Sequence, residues 1–163
     1  MEFDDALDYV RNPYVAEEIF QRQQRTLCIH LTDSCKSATP EKTREFYEYS
    51  KLLNLVTIAI LDEKELTISD EALSAFDLVF TSSNEKSVAA VKVPNVKEAV
   101  LGIKNSVEGN PHSSIMLVQL LRQRTYLNID TGLLFESMAY AALQGGPEFQ
   151  KWLSKRKDTL GQA

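Results

Sequence analysis

Acidic side chains are concentrated in the segment LDEKELTISDEALSAFD, which runs from residue 61 to residue 77. Carboxylates bind divalent cations and can also transfer protons in catalysis. This segment lacks the Asp-x-Asp-x-Asp-Gly spacing of a calcium loop, and we expect most of its charges to be solvated. We therefore predict no metal site here. The acidic residues are Asp62, Glu63, Glu65, Asp70 and Glu71.

A second group of potential ligands is CIHLTDSC, in which Cys28 and Cys35 flank His30. A structural zinc site needs four ligands, and the only other histidine, His112, lies far along the chain. In TLCIHLT, apolar residues alternate with other types, as they do in a strand with one more apolar face. We predict a strand here, with neither a metal ion nor another cofactor.

The composition limits the kinds of partner. A chain of 163 residues that is 44% hydrophobic can form one domain, or a domain with a docking tail. The net charge of -5, with no basic run before the final SKRK, argues against nucleic acid. No apolar run reaches the roughly 20 residues that span a bilayer, and acidic residues follow Met1 where a secretory signal needs positive charge. We therefore expect a cytoplasmic protein with no membrane partner.

The elements that must position any site follow from the apolar patterns and helix breakers. Residues 1–25 read as two short helices interrupted at Pro13, and we describe them as an N-terminal helical arm. Residues 26–109 alternate strands with helices, which predicts an α/β core containing a parallel sheet. Its predicted strands are TLCIHLT, VTIAIL, DLVFTS and VAAVKV.

Helix starts are well marked. Thr39 and Pro40 suit the N-cap and first position of a helix whose apolar face is predicted to carry Phe46, Tyr49, Leu52 and Leu53. A helix capped by Asn95 is predicted to end at Gly109. Residues 110–163 then read as a C-terminal helical region, with helices beginning at Asn110 and Pro111, at Asp130 or Thr131, and at Pro147.

This C-terminal region resembles the closing helices of the crotonase superfamily of enoyl-CoA hydratases and isomerases. The resemblance lies in PHSSIMLVQLLRQRTYLNIDTGLLFESMAYAALQGGPEFQKWLSKRK, with its Pro-started helix, its Gly-Leu followed by Glu three residues later, and its Pro-Glu-Phe start before Lys-Arg. The distance from VTIAIL to the aspartate of AFDLVF is also similar to that in the family. The resemblance covers residues 26–157 with large deletions. It implies a shortened crotonase-like sheet core and a C-terminal α-helical oligomerisation region.

The resemblance also implies site residues. In a gap-free comparison, residues 67–69 fall where the family has a run of glycines, and Ile68 replaces a glycine whose N–H contacts the thioester oxyanion. Glu71 falls where many hydratases carry one of two catalytic glutamates. Asp70 and Glu71 also suit the first turn of a helix, where the dipole favours negative charge, so a structural role for Glu71 stays open.

The other catalytic features of the family are reduced or missing. The second oxyanion donor falls around Ser37 or Ala38, and the second glutamate falls near Val91, which cannot transfer a proton. Lys155 and Arg156 lie where the family has a basic side chain that meets the nucleotide end of coenzyme A. Cations at a helix C-terminus also complement the dipole, which is the alternative reading.

The resemblance implies two alternative functions. The first is an enoyl-CoA hydratase/isomerase-like protein that binds an acyl-CoA thioester, with its catalytic apparatus largely degraded. The second is a non-catalytic crotonase-fold subunit that acts in protein assembly. Both imply a homo-oligomer, either a trimer or a dimer of trimers, or association with a related crotonase subunit, because family members build trimers through their C-terminal helices.

Overall fold

The computed structural model describes residues 1–31, 38–61, 68–83, 87–124 and 126–160. The chain forms two compact units, Met1–Gly109 and Asn110–Ala163. The first unit carries the sheet, and the second consists of helices. Within the described part of the chain, no helix is long and apolar enough to cross a membrane.

A four-stranded parallel sheet, ordered β1-β2-β3-β4, forms the centre of the first unit. This confirms the predicted α/β core with parallel pairing. All six residues of β2 are buried, as expected for a central parallel strand. The fourth strand is shorter than the predicted VAAVKV. The strands are β1 (Thr26–Leu31), β2 (Val56–Leu61), β3 (Leu78–Thr81) and β4 (Val91–Lys92).

The described residues of this unit form five helices: α1 (Phe3–Arg11), α2 (Val15–Gln21), α3 (Pro40–Ser50), α4 (Asp70–Leu73) and α5 (Val96–Gly109). The arm predicted for residues 1–25 packs on the core of the sheet. The ring of Phe3 lies 6.0 Å from that of Phe46 and 6.3 Å from that of Phe76, measured between ring centroids. The N–H of His30 donates to the carbonyl of Met1 at 2.9 Å, so the start of the chain is fixed to β1.

The buried face of α3 differs from the prediction. Phe46 and Leu53 are buried as expected, but Tyr49 and Leu52 are exposed. The helix ends at Ser50, and its buried face instead includes Thr43 and Ser50. A hydroxyl can lie in this apolar setting because it bonds to its own helix, and the Thr43 hydroxyl donates to the carbonyl of Thr39 at 3.1 Å.

The second unit contains α6 (Pro111–Gln123), α7 (Ile129–Gln144) and α8 (Pro147–Leu160), with α7 packed against both other helices. The side-chain oxygen of Asn128 accepts from the N–H of Thr131 at 2.9 Å, and α7 therefore begins at Ile129 rather than at Asp130 or Thr131. The remaining predicted helix starts in this unit, Pro111 and Pro147, are confirmed.

Candidate functional site

Two equivalent strand–connector–helix units lie side by side in the sheet. Strands β1 and β2 pair in parallel from Thr26 opposite Val56 to Leu31 opposite Leu61. Pro40, the first residue of α3, comes nine positions after Leu31, and Asp70, the first residue of α4, comes nine positions after Leu61. Both connectors therefore begin at paired strand ends and have the same length. In α/β proteins, ligands bind outside this carboxyl edge of the sheet.

The two helices that follow these connectors begin in the same way. The Thr39 hydroxyl oxygen accepts from the N–H of Lys42 at 3.4 Å, and that of Ser69 accepts from the N–H of Ala72 at 3.2 Å. Each N-cap satisfies an N–H group of the first helical turn. The preceding residue is Ala38 in one unit and Ile68 in the other.

Ala38 and Ile68 are the two described residues of the predicted oxyanion site, and they occupy equivalent positions. Both are partly buried and pack against the hydrophobic core. Within the described ranges, Gln23 is the only non-glycine residue with a positive φ, so Ile68 has an ordinary backbone conformation for a β-branched residue. The third predicted donor, Ser37, lies outside the described residues.

Glu71 lies in the first turn of α4 and is exposed. Its Oε1 atom is 2.8 Å from Nη2 of Arg44, which belongs to α3. The neighbouring carboxylate, Asp70, accepts a hydrogen bond of 2.5 Å from the hydroxyl of Ser87. The two adjacent carboxylates thus have different partners, one in α3 and one in the segment after β3. Neither Arg44 nor Ser87 is predictable from the sequence as a partner, because each lies far along the chain from the carboxylate that it contacts.

Hydroxyl groups also lie where β3 ends. The Thr81 hydroxyl is 3.0 Å from that of Ser83, and it accepts from the N–H of Ser83 at 3.1 Å. In the sequence, these hydroxyls belong to the run TSS at residues 81–83, which by itself indicates only the end of a strand. Val91, which stands at the predicted place of the second glutamate, lies in β4 opposite Phe80 and is exposed.

Lys155 and Arg156 lie in α8 of the second unit, where both are exposed. The guanidinium carbon of Arg156 is 5.1 Å from the centre of the Trp152 ring, an arrangement that restricts this otherwise flexible cation. Trp152 in turn stacks on Phe149, with ring centroids 5.6 Å apart. The Arg156 cation therefore lies over the Trp152 ring, which is itself stacked on Phe149.

No group of three or more His, Cys, Asp or Glu side chains in the described ranges is arranged to hold a metal ion. Cys28 is a free thiol in β1. Its burial raises the pKa of the thiol, although the nearby ammonium group of Lys104 opposes this shift. Cys28 therefore lacks the lowered pKa of a reactive thiol. Cys35 lies outside the described residues.

The chain has the same class of fold as two solved structures of the enoyl-CoA hydratase type. An enoyl-CoA hydratase from Bacillus anthracis is similar over 94% of this chain and 85% of its own, with a TM-score of 0.63 and 13% identity. A protein assigned as an enoyl-CoA hydratase from Rhodopseudomonas palustris is similar over 98% and 85%, with a TM-score of 0.60 and 13% identity. No protein-family model matches the sequence, and no match was found among curated proteins. The predicted α/β crotonase-like fold is confirmed.

Proposed function

We propose that the protein binds an acyl-CoA thioester at the carboxyl edge of β1 and β2. The observation that carries this proposal is the equivalent placement of Ala38 and Ile68 at the ends of two connectors of equal length. Two backbone N–H groups at equivalent positions after paired strands are candidate donors to a thioester oxygen, on which negative charge develops when an enolate forms. The likeness in fold to two enoyl-CoA hydratases supports the same ligand class.

Calorimetric titration with coenzyme A and a panel of acyl-CoA and enoyl-CoA thioesters tests this proposal. We expect saturable binding of the thioesters. Ile68→Pro removes one N–H donor and is expected to weaken thioester binding while leaving the affinity for free coenzyme A unchanged, because free coenzyme A has no thioester oxygen. Ile68→Val keeps the N–H and serves as the matched control. No heat with any ligand, from protein shown to be folded, would refute the proposal.

Any turnover is proposed to use Glu71, which lies three residues after the Ile68 donor in the first turn of α4. In a hydration, the Glu71 carboxylate takes a proton from water as the water oxygen bonds to the β-carbon of the enoyl group. The electron pair of the carbon–carbon double bond shifts towards the thioester oxygen, and the carboxyl group then returns the proton to the α-carbon. General acid–base catalysis of this kind contributes about 10² to 10⁴ in rate.

The remaining catalytic apparatus is limited, so we expect slow turnover compared with a complete hydratase. Val91 offers no second acid, and the Glu71→Gln variant is expected to abolish the remaining activity while sparing thioester binding. A variant with undiminished turnover would remove Glu71 from the mechanism. Lys155 and Arg156 are proposed as phosphate contacts of coenzyme A, since Lys and Arg suit phosphate oxygens. Their joint replacement by Ala is expected to weaken coenzyme A binding.

Assembly is the second candidate function, and the surface of α7 favours it. Ala139 is its only buried residue, while large apolar side chains along the helix are exposed to solvent. A helix that is apolar on most sides is normally covered. We propose that this helix associates in a homo-oligomer, a trimer or dimer of trimers, or with a related crotonase subunit. The exposed apolar residues are Ile129, Leu133, Leu134, Phe135, Met138 and Tyr140.

Light scattering after gel filtration tests the assembly proposal. The wild-type chain is expected to elute as an oligomer, and Met138→Lys is expected to shift it towards the monomer because it places a charge in the apolar contact. Glu136→Lys, at an exposed polar position of the same helix, is the control. A monomeric wild-type chain at every concentration would contradict self-association. A cytoplasmic location and the lack of a nucleic-acid partner stay predictions from the sequence.

A further inference from the structure

We infer that Arg44 is a positioning residue for Glu71, holding its carboxylate in the orientation in which it acts on a bound thioester. The inference rests on the proposed function. Nη2 of Arg44 lies 2.8 Å from Oε1 of Glu71, and the pair joins α3 to α4, the two helices that follow the equivalent connectors. Nη2 of Arg44 donates to Oε1 of Glu71, so this hydrogen bond restrains the carboxylate at that oxygen atom.

The position of Arg44 is itself fixed from the other side of α3. Nζ of Lys42 is 3.1 Å from Oδ1 of Asp4, and Arg11 makes hydrogen bonds of 3.0 and 2.9 Å to the two carboxylate oxygens of Glu45. These pairs connect α3 to α1. Helix α3 therefore lies between α1 and α4 with charged contacts to each, and Arg44 extends from a restrained helix.

The exposure of this pair limits what it can contribute to the stability of the fold. The side chains of Arg44 and Glu71 are 72% and 63% exposed, and exposed ion pairs contribute little to stability. An unrestrained Glu side chain at such a site samples several rotamers, and fixing it in one of them costs conformational entropy. A guanidinium that restricts the side chain before the substrate binds removes part of that cost from the reaction.

Two substitutions at position 44 and one matched control test the inference. Arg44→Met keeps most of the length of the side chain but removes the charge and the hydrogen bond, and Arg44→Lys keeps the charge. Arg11→Met removes a comparable exposed ion pair between α1 and α3 that does not involve Glu71. Each variant is measured for kcat with an enoyl-CoA, for the Kd of a non-reacting acyl-CoA thioester, and for urea unfolding.

Arg44→Met is expected to lower kcat by about tenfold to 10²-fold, the range of a misplaced catalytic group, with the thioester Kd within about twofold of wild type. Arg44→Lys is expected to recover part of the lost kcat. Arg11→Met is expected to have the same free energy of unfolding as Arg44→Met but to keep the wild-type kcat.

Three outcomes would overturn the inference. If the wild-type protein is active and Arg44→Met has an unchanged kcat, Arg44 has no positioning role, and the proposed function is unaffected. An equal loss of kcat in Arg11→Met shows that α3 packing, rather than the Glu71 contact, controls the rate. A wild-type chain that binds thioesters without turnover removes the catalytic role of Glu71, and the positioning role of Arg44 with it.

Discussion

Asp77 and Thr57 exchange three hydrogen bonds that fix the starts of β3 and β2 to each other. Oδ2 of Asp77 accepts from the N–H of Thr57 at 2.7 Å and from its hydroxyl at 2.8 Å, while the N–H of Asp77 donates to the Thr57 hydroxyl oxygen at 3.0 Å. Thr57 is only 1% exposed. The aspartate that the sequence marked as part of the crotonase-like frame is thus a structural residue at the amino edge of the sheet.

Asp77→Ala is expected to lower the free energy of unfolding by about 1 to 3 kcal/mol, because it leaves the buried N–H and hydroxyl of Thr57 without their acceptor. Asp77→Asn retains an oxygen acceptor, so its loss is expected to be smaller. Urea unfolding followed by circular dichroism measures both. A stability loss that is no larger for Ala than for Asn would contradict the role of the oxygen.

We expect the acid stability of the helical unit to depend on Glu148. Its carboxylate, 13% exposed, accepts from the N–H groups of His112 and Ser113 at 2.7 and 3.0 Å and from the Ser113 hydroxyl at 2.5 Å. Burial alone raises the pKa of Glu148, but the hydrogen bonds from Ser113 and His112 outweigh it and leave the pKa below its usual value.

A lowered pKa in the folded state makes this contribution to stability present above the unfolded-state pKa, about 4.3, and lost as pH falls through the folded-state value. We therefore expect wild-type stability to fall below about pH 4 more steeply than that of Glu148→Gln, which cannot titrate. Ser113→Ala removes one donor and is expected to raise the pKa of Glu148. Urea unfolding at a series of pH values measures this, and parallel profiles for wild type and Glu148→Gln would refute it.

Gln23 occupies a position that favours glycine. Its φ is 51°, its N–H donates to the carbonyl of Phe20, and the N–H of Gln24 donates to that of Ile19. This is a Schellman motif at the end of α2, in which the left-handed residue is usually Gly. Gln23→Gly is expected to stabilise the protein by about 1 kcal/mol. Gln24→Gly is the control, because it removes the side-chain hydrogen bonds of Gln24 with Tyr9 and Thr26 and is expected to destabilise the protein. Thermal unfolding measures both variants. If both substitutions stabilise the protein, this explanation is contradicted.

Substitution of Phe46 tests whether the N-terminal helices and the sheet share one hydrophobic core. Its ring lies 5.3 Å from that of Phe76 as well as contacting Phe3, and it is fully buried. Phe46→Ala is expected to cost about 3 to 5 kcal/mol in unfolding free energy, with α1 losing its packing in the same transition. Tyr49→Ala, on the exposed face of the same helix, is expected to change stability by less than about 0.5 kcal/mol. A change in unfolding free energy for Phe46→Ala as small as that for Tyr49→Ala would contradict a shared core.

The sequence by itself determined the features whose causes are local. Alternation in β1, the continuous apolar run of β2 and the helix starts at Pro40, Pro111 and Pro147 all depend on neighbouring residues, and each was predicted. The resemblance to crotonases also predicted the fold, because the order and spacing of these elements survive large changes of residue type.

Only the tertiary structure decided which residues meet. Glu71 contacts Arg44 across 27 residues, Glu148 contacts Ser113 across 35, and Asp77 contacts Thr57 across 20. Periodicity assigns a side chain to a face, but it does not specify its partner, because the partner depends on how helices and strands pack after the chain has folded back on itself. The same packing decided that α3 buries a threonine and a serine, whose hydroxyls bond to their own helix, while Tyr49 stays in solvent.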